Sequence, residues 1–243
     1  TIKNCINNVS IKNENSLIEV GGILGLSSGG VDINSCVNIA EITNGYSVAG
    51  ILGYGSSIVT IQNCLNLGKI TMLSNSLDAV AGIANIYGDP ENRSSVTSCI
   101  NASSIQGEEE KDNIYPIAYI IVPGYATLSK NYYDATILPT VTAVDGVVRT
   151  TSSDLDNLDL EGWDNAESDF QYPIPSTIKN TFYNSFCWSS ISDKVLIYVS
   201  GAYYVNGEDG DDVNDGSSID TPKKNLTNVI TSLKDSPDNH TRT

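Results

Sequence analysis

Asn4-Cys5-Ile6-Asn7, Ser35-Cys36-Val37-Asn38, Asn63-Cys64-Leu65-Asn66 and Ser98-Cys99-Ile100-Asn101 are four versions of one short motif. Its successive copies lie 31, 28 and 35 residues apart. A degenerate fifth copy, Asn131-Tyr132-Tyr133-Asp134, follows 33 residues later. A second anchor falls between the copies: Gly21-Gly22-Ile23-Leu24-Gly25, Ala49-Gly50-Ile51-Leu52-Gly53 and Ala81-Gly82-Ile83-Ala84-Asn85, with Pro116-Ile117-Ala118-Tyr119 as an eroded fourth. Gly22 and Gly50 each precede the next motif cysteine by 14 residues. Two anchors that keep step at such a period mark a repeat architecture.

Between the anchors the pattern is that of strands. Val31-Asp32-Ile33-Asn34 and Val59-Thr60-Ile61-Gln62 alternate apolar and polar side chains, as a half-buried strand does. Glu41-Ile42-Thr43 and Lys69-Ile70-Thr71 repeat this on a shorter scale, and clusters of Gly, Asn and Ser supply the turns. Each unit reads as about three short strands. A single unit cannot bury its apolar face, whereas stacked units can. The expected fold is therefore all-β: a parallel β-solenoid with about one coil per repeat of 28–35 residues over residues 1–139. Stacking at roughly 4.8 Å per coil would place Cys5, Cys36, Cys64 and Cys99 in one column. Asn7, Asn38, Asn66 and Asn101 would form a ladder beside it, and Gly22, Gly50 and Gly82 would mark a recurring turn. The cysteine column reads as small buried filler. A metal centre would need convergent thiolates, which a linear stack does not supply. Disulfides would need adjacent coils within about 7 Å.

Composition narrows the function classes. The 243 residues carry 13 basic and 29 acidic side chains, a net charge of −16. Such a chain lacks the concentrated positive field that nucleic acid or an anionic membrane surface requires, so nucleic acid is not an expected partner. No apolar run approaches the ~20 residues of a membrane-spanning helix, so no membrane insertion is expected. His240 is the only histidine. That removes His-dependent nucleophilic catalysis, and no H-E-x-x-H zinc site exists. Gly25-Leu26-Ser27-Ser28-Gly29 matches the nucleophile-elbow pattern but lacks the strand–turn–helix context and a histidine base. Five N-x-[Ser/Thr] sequons, at Asn8, Asn92, Asn101, Asn225 and Asn239, arise readily in so Asn- and Ser-rich a chain.

The two alternating anchors resemble GLUG-motif repeats of large secreted and surface proteins of bacteria and some protists, over residues 1 to about 175. The resemblance implies an extracellular or cell-surface repetitive module without a catalytic centre, and a right-handed solenoid. The array's ending also looks like that of the family: Asn131 to Asp134, then Arg149-Thr150-Thr151, a short helical stretch, and Gly162-Trp163 leading to Tyr172-Pro173. Pro116, where a glycine belongs, departs from the pattern.

Residues 140–194 read as an acidic capping and linking segment. Ser153 to Leu158 offers a helix cap with acidic residues in the first turn. Trp163 and Tyr172 are the expected plug over the open solenoid end, which would otherwise leave strand edges exposed. Residues 195–243 begin a new pattern. Val195 to Val199 and Tyr203-Tyr204-Val205 are β-rich, and Thr221-Pro222 opens an amphipathic helix through Leu226, Val229, Ile230 and Leu233. This stretch looks like the truncated start of a pectate-lyase-like right-handed parallel β-helix, in which such a helix caps the first coil. The intervening acidic loop offers a weak calcium site at Asp209, Asp211 and Asp215, although Val213 breaks the EF-hand spacing. A solvated acidic turn is the competing reading.

The expectation is a non-catalytic structural or adhesive module of a large extracellular or cell-surface repeat protein. It would present a solenoid face to host or environmental glycans or proteins, alongside adjoining domains of the same parent chain. Its opening at Thr1, in the middle of the pattern, fits a fragment. The alternative is an accessory module of a secreted peptidase or polysaccharide-cleaving enzyme whose active site lies elsewhere.

Overall fold

The computed structural model describes residues 1–13, 18–71, 79–91, 93–106, 114–139, 141, 144–155, 157–165, 172–185, 187–190, 196–199, 211–214 and 223–224. They fall into two compact units, Thr1–Lys179 and Asn180–Thr243.

The first unit is a parallel β-solenoid of about four turns. A coil holds five short strands rather than three. In the first coil these are Ile2–Lys3, Ile6–Asn7, Ile11–Lys12, Glu19–Gly21 and Leu24–Ser27. The added breaks fall at the two anchors. The residue before each motif cysteine takes a left-handed conformation, with φ of 52–56° at Asn4, Ser35, Asn63 and Ser98, and the chain turns there between the first and second strands. Asn tolerates this region better than most residues. At the glycine anchor, the chain bends between the fourth and fifth strands.

Equivalent strands stack in register into five sheets, numbered here in chain order. Sheet 1 pairs Ile2–Lys3, Val31–Asn34, Val59–Gln62, Ser94–Thr97 and Ala126–Ser129. Sheet 2 runs from Ile6–Asn7 to Asn131–Asp134 and then gains one more parallel strand, Val147–Thr150. Sheets 3, 4 and 5 hold four strands each, and sheet 5 ends at Ala118–Ile120. Among the described residues the solenoid therefore has a fifth level in sheets 1 and 2 only, and a sixth in sheet 2.

The interior is divided into two apolar lobes. One is built on Ile33, Cys36, Ile51, Leu52, Val59 and Ile61 and their equivalents in higher coils. The other is built on Val20, Ile42, Val48, Ile70, Val80 and Ile105. Each fully buried aliphatic side chain contributes on the order of 1.5–3 kcal/mol, and the in-register stack repeats that gain at every coil. Tyr133, Leu138 and Val141 cover the end of the second lobe, and Val147, on the strand added to sheet 2, packs against both lobes.

The fifth copy of the motif stacks one residue out of the expected alignment. Tyr132 pairs with Ile100 and Tyr133 with Asn101, so Asn131 occupies the cysteine column. Lys130, with φ 53°, is the left-handed residue of that level. The match of Asn131 to Asn4 was one of residue type; hydrogen bonding sets the true register. Asn131 Oδ1 accepts from Cys99 N at 3.0 Å and its Nδ2 donates to Val96 O at 2.8 Å, which closes the column with a satisfied amide. Pro116 does stand level with Gly82, between the paired Ala81–Tyr115 and Ala84–Ala118.

After the last sheet-2 strand, a one-turn helix forms at Ser152–Leu155. Thr151 caps it, two residues before the expected cap: its Oγ1 accepts from Asp154 N at 3.3 Å and donates to Asp154 Oδ2 at 2.7 Å. The chain then forms a small antiparallel pair, Trp163–Asp164 with Ile174–Pro175.

In the second unit Cys187–Ser190 pairs antiparallel with Leu196–Val199. The expected strand at 203–205 lies outside the described residues, and so does the expected helix after Pro222 except for Lys223 and Lys224, which are not helical. Asp209 and Asp215 also lie outside the described residues.

Candidate interaction surface

The motif asparagines and the anchor glycines meet between the two lobes. Asn7 Nδ2 donates to Asn38 Oδ1 at 2.8 Å, Asn38 Nδ2 to Asn66 Oδ1 at 2.9 Å, and Asn66 Nδ2 to Asn101 Oδ1 at 3.0 Å. Asn38, Asn66 and Asn101 are buried, and Asn7 is half-buried. The ladder has a direction, each amide donating to the next coil. It ends at Asn101, whose Nδ2 has no hydrogen-bond partner because Tyr133 stands at the next level.

The glycines of the second anchor are there for space. Gly50 does not have a positive φ, yet a Cβ on it would lie 2.2 Å from Asn66 Cγ and 2.3 Å from Gly82 O. Gly22 and Gly82 press on Asn38 and Asn101 in the same way. The expectation of turn glycines is refined accordingly: they sit at a bend, but the amide ladder is what excludes a side chain. The pairing of motif Asn with anchor Gly across a coil is the physical content of the repeat.

Cys36, Cys64 and Cys99 are buried, Cys5 is exposed, and all four are free thiols. Each thiol donates to the carbonyl two residues back, at 3.3–3.4 Å. Burial pushes the Cys64 thiol far above its ordinary value. The bond to the Cys64 thiol and then burial do the same at Cys36. Thiolate chemistry is thereby suppressed at Cys36 and Cys64.

Trp163 and Tyr172 hold the flank of the solenoid. Trp163 is buried and its indole N–H donates to Ser98 O at 3.0 Å. Its neighbour Gly162, at φ +86°, lies against Asn63, where a Cβ would come within 2.5 Å of Nδ2. Tyr172 OH donates to Asp134 Oδ2 at 2.8 Å on the fifth level, and Thr177 Oγ1 donates to Asn4 Oδ1 at 2.8 Å on the first. Residues 172–177 thus form a strap that runs the height of the stack along the left-handed turns. The expected end plug is supplied instead by Tyr133, Leu138 and Val141 over the second lobe, with Val147 against both lobes. Aromatic residues in a segment after a repeat array mark a packing surface, but nothing in the sequence distinguishes a flank from an end.

In the second unit, the acidic loop is organised by an ammonium group. Lys223 Nζ donates to Asn214 O at 2.6 Å and to Asp212 O at 3.3 Å. Asp211 Oδ1 accepts from Val213 N at 3.1 Å. Among the described residues no group of three His, Cys, Asp or Glu side chains is placed to hold a metal, and no helix is long and apolar enough to cross a membrane.

The outer face of sheet 1 carries two straight polar columns. One is Asp32, Thr60, Ser95 and Thr127; the other is Asn34, Gln62, Thr97 and Ser129. Successive members are roughly 4.8 Å apart along the axis, and the two columns are roughly 6.6 Å apart along each strand. The inward residues between them, Ile33, Ile61 and Val96, are fully buried, so the strand backbones under this face are fixed. The face is rich in hydroxyl and amide groups, and its charged members are Asp32 and, level with Asn34 in the first coil, Lys3, whose Nζ lies 3.8 Å from Asp32 Oδ2.

Comparison with known protein families, with characterised proteins and with solved structures finds no match to this chain.

Proposed function

We propose that this chain is a non-catalytic, adhesive or structural module of an extracellular or cell-surface repeat protein of the GLUG kind, which contacts glycans or proteins through the outer face of sheet 1. The observation that carries this reading is the division of labour along the repeat. The recurring Asn, Cys and Gly positions are spent on stacking, and the recurring outward positions form a regular hydroxyl and amide array. Such an array suits ligands that present repeated hydroxyl or amide groups, because hydrogen bonds can be made at successive coils without a pocket. The pectate-lyase-like reading of residues 195–243 belongs to the same proposal, as an adjoining module of the parent chain.

The test is to probe the immobilised chain on glycan and matrix-protein arrays, beside a Thr60→Lys/Ser95→Lys variant. Both substitutions are at outward positions and leave the core untouched. Binding by the parent chain that the variant loses supports the reading. Empty arrays, or identical binding by the variant, overturn it.

A further inference from the structure

The two lobes of the solenoid end differently. Tyr133, Leu138 and Val141 close the second lobe. The first lobe, closed at its cysteine column by Asn131 and touched by Val147, ends beside them in a groove of about 750 Å³. One wall is the last strand of sheet 5, Ala118–Ile120, and the opposite wall is the last strand of sheet 1, Ala126–Ser129. Val144 to Gly146 form a third side.

The groove has the place of a missing strand. Sheet 1 has five levels and sheet 5 has four. In the lower coils the inward side chains of sheet 5 are Leu24, Leu52, Ala84 and Ala118, which pack against sheet 1 in the first lobe. At the fifth level Ala126 and Leu128 point into the same lobe and are only partly buried, and among the described residues no sheet-5 strand stands opposite them. The Ala118–Ile120 strand is paired with Ala84–Ile86 on one side and is the edge of its sheet on the other. An unpaired edge with apolar side chains beside it is a template for an added strand. Among the described residues the chain adds no further strand to sheet 5. Tyr115 and Tyr119 stand where lower coils carry Ala81 and Asn85, and their rings lie 4.6 Å apart at the rim. Asp145 is the one charged residue lining the groove, in a chain of net charge −16.

We propose that this groove takes an extended segment of a partner polypeptide, uncharged or basic, as a fifth strand of sheet 5. Its main chain pairs with Ala118–Ile120. Apolar side chains at alternate positions fill the space over Ala126 and Leu128, doing for the first lobe what Tyr133 and Leu138 do for the second. The proposal rests on the reading of the chain as a binding module, but it uses a different surface from the face of sheet 1.

The probe is a fluorescein-labelled synthetic peptide with the sequence of residues 50–56, Gly-Ile-Leu-Gly-Tyr-Gly-Ser, followed by two lysines. Fluorescence anisotropy with the full 243-residue chain reads its binding, and hydrogen exchange reads protection of residues 118–120. The expected result is saturable binding with new protection at Ala118–Ile120. A peptide of the same composition with its apolar residues shifted by one position should bind about tenfold more weakly or worse, since the shift turns them away from the lobe. Ala126→Lys should abolish binding, and Thr97→Lys, on the outward side of the neighbouring sheet-1 strand and away from the groove, should not. Asp145→Lys, outside the core, should weaken the basic peptide severalfold. The proposal is overturned by no binding at millimolar peptide, by equal binding of the shifted peptide, or by indifference to both Ala126→Lys and Asp145→Lys. Concentration-dependent self-association that Ala126→Lys removes would also overturn it, by assigning the groove to a second copy of the chain. Array binding that survives a peptide failure would leave the sheet-1 reading standing; the reverse pattern would leave only the groove.

Discussion

Removing the Asn66 side chain tests the amide ladder at its centre. In Asn66→Ala four hydrogen bonds disappear: those from Asn38 Nδ2 at 2.9 Å and Gly68 N at 3.2 Å, and those to Asn101 Oδ1 at 3.0 Å and Ser103 Oγ at 2.8 Å. At about 1 kcal/mol net each, the loss is about 4 kcal/mol. The abandoned partners retain second bonds, Asn38 Nδ2 to Ala40 O at 3.1 Å and Ser103 Oγ to Asn101 Oδ1 at 2.7 Å, so the further penalty for orphaned groups is small. Asn7→Ala removes only two bonds, to Asn38 Oδ1 and from Val9 N, at a half-buried end that water reaches. Its cost should be about 1 kcal/mol. Urea unfolding followed by circular dichroism should separate the two variants by about 3 kcal/mol at unchanged m-value. Values within about 0.5 kcal/mol of each other would refute the ladder as a stabilising spine. Asn66→Asp adds a sign test. A buried carboxylate can still accept from Asn38 but cannot donate to Asn101 unless protonated, so its folded pKa is raised above the unfolded value near 4. The stability of that variant is then greatest below pH 4 and falls as pH rises through the raised value. A variant equally stable relative to the parent at pH 4 and pH 7 contradicts the ladder's direction.

Gly50→Ala should cost about 2–3 kcal/mol through overpacking against Asn66 and Gly82, while Gly29→Ala, with nothing within 4 Å of its Cβ, should be near neutral in the same melts. In a Cys187→Ser background, a thiol reagent at neutral pH should label Cys5 in the native chain and reach Cys36, Cys64 and Cys99 only after denaturant; rapid native labelling of all four would contradict the buried column. Burial first, then the Asp134 carboxylate, pushes the Tyr172 phenol well above its ordinary range. Its contribution is complete below the unfolded value near 10 and is lost as pH rises beyond it, so alkaline unfolding should be steeper in the parent chain than in Tyr172→Phe. Trp163→Ala should cost about 3–5 kcal/mol and release the strap, visible as faster hydrogen exchange along residues 172–177.

The solenoid was legible because its period is written twice, in Cys5 to Cys99 and in Gly22 to Gly82, and stacking requires both anchors to recur together. The strands Val31–Asn34, Val59–Gln62, Ile42–Thr43 and Ile70–Thr71 fall where alternation put them. The count of five strands per coil was hidden because two-residue strands have no alternation to read. The one-residue offset at Asn131 was hidden because a satisfied amide can replace a thiol in the column, so residue identity misaligned what hydrogen bonding aligns. The role of Gly50 needed the distance to Asn66, sixteen positions away in sequence but adjacent in space. Of the candidate surfaces, the sheet-1 columns follow from Asp32, Thr60 and Gln62 alternating with buried residues. The groove does not follow from any pattern, since it arises from a strand that one sheet has and another lacks.

The strap changes how such a stack comes apart. In a simple solenoid each coil touches only its neighbours, and end coils fray independently. Here Thr177 bonds to Asn4 across 173 residues of chain, while Tyr172, a few residues earlier, is fastened to the opposite end. The first and last levels are therefore laced together, and neither can peel away while the lace holds. Because that contact closes a loop of nearly the whole unit, it is expected to form after the coils have stacked. Release of the Tyr172 and Thr177 bonds is then expected to precede fraying at either end of the stack.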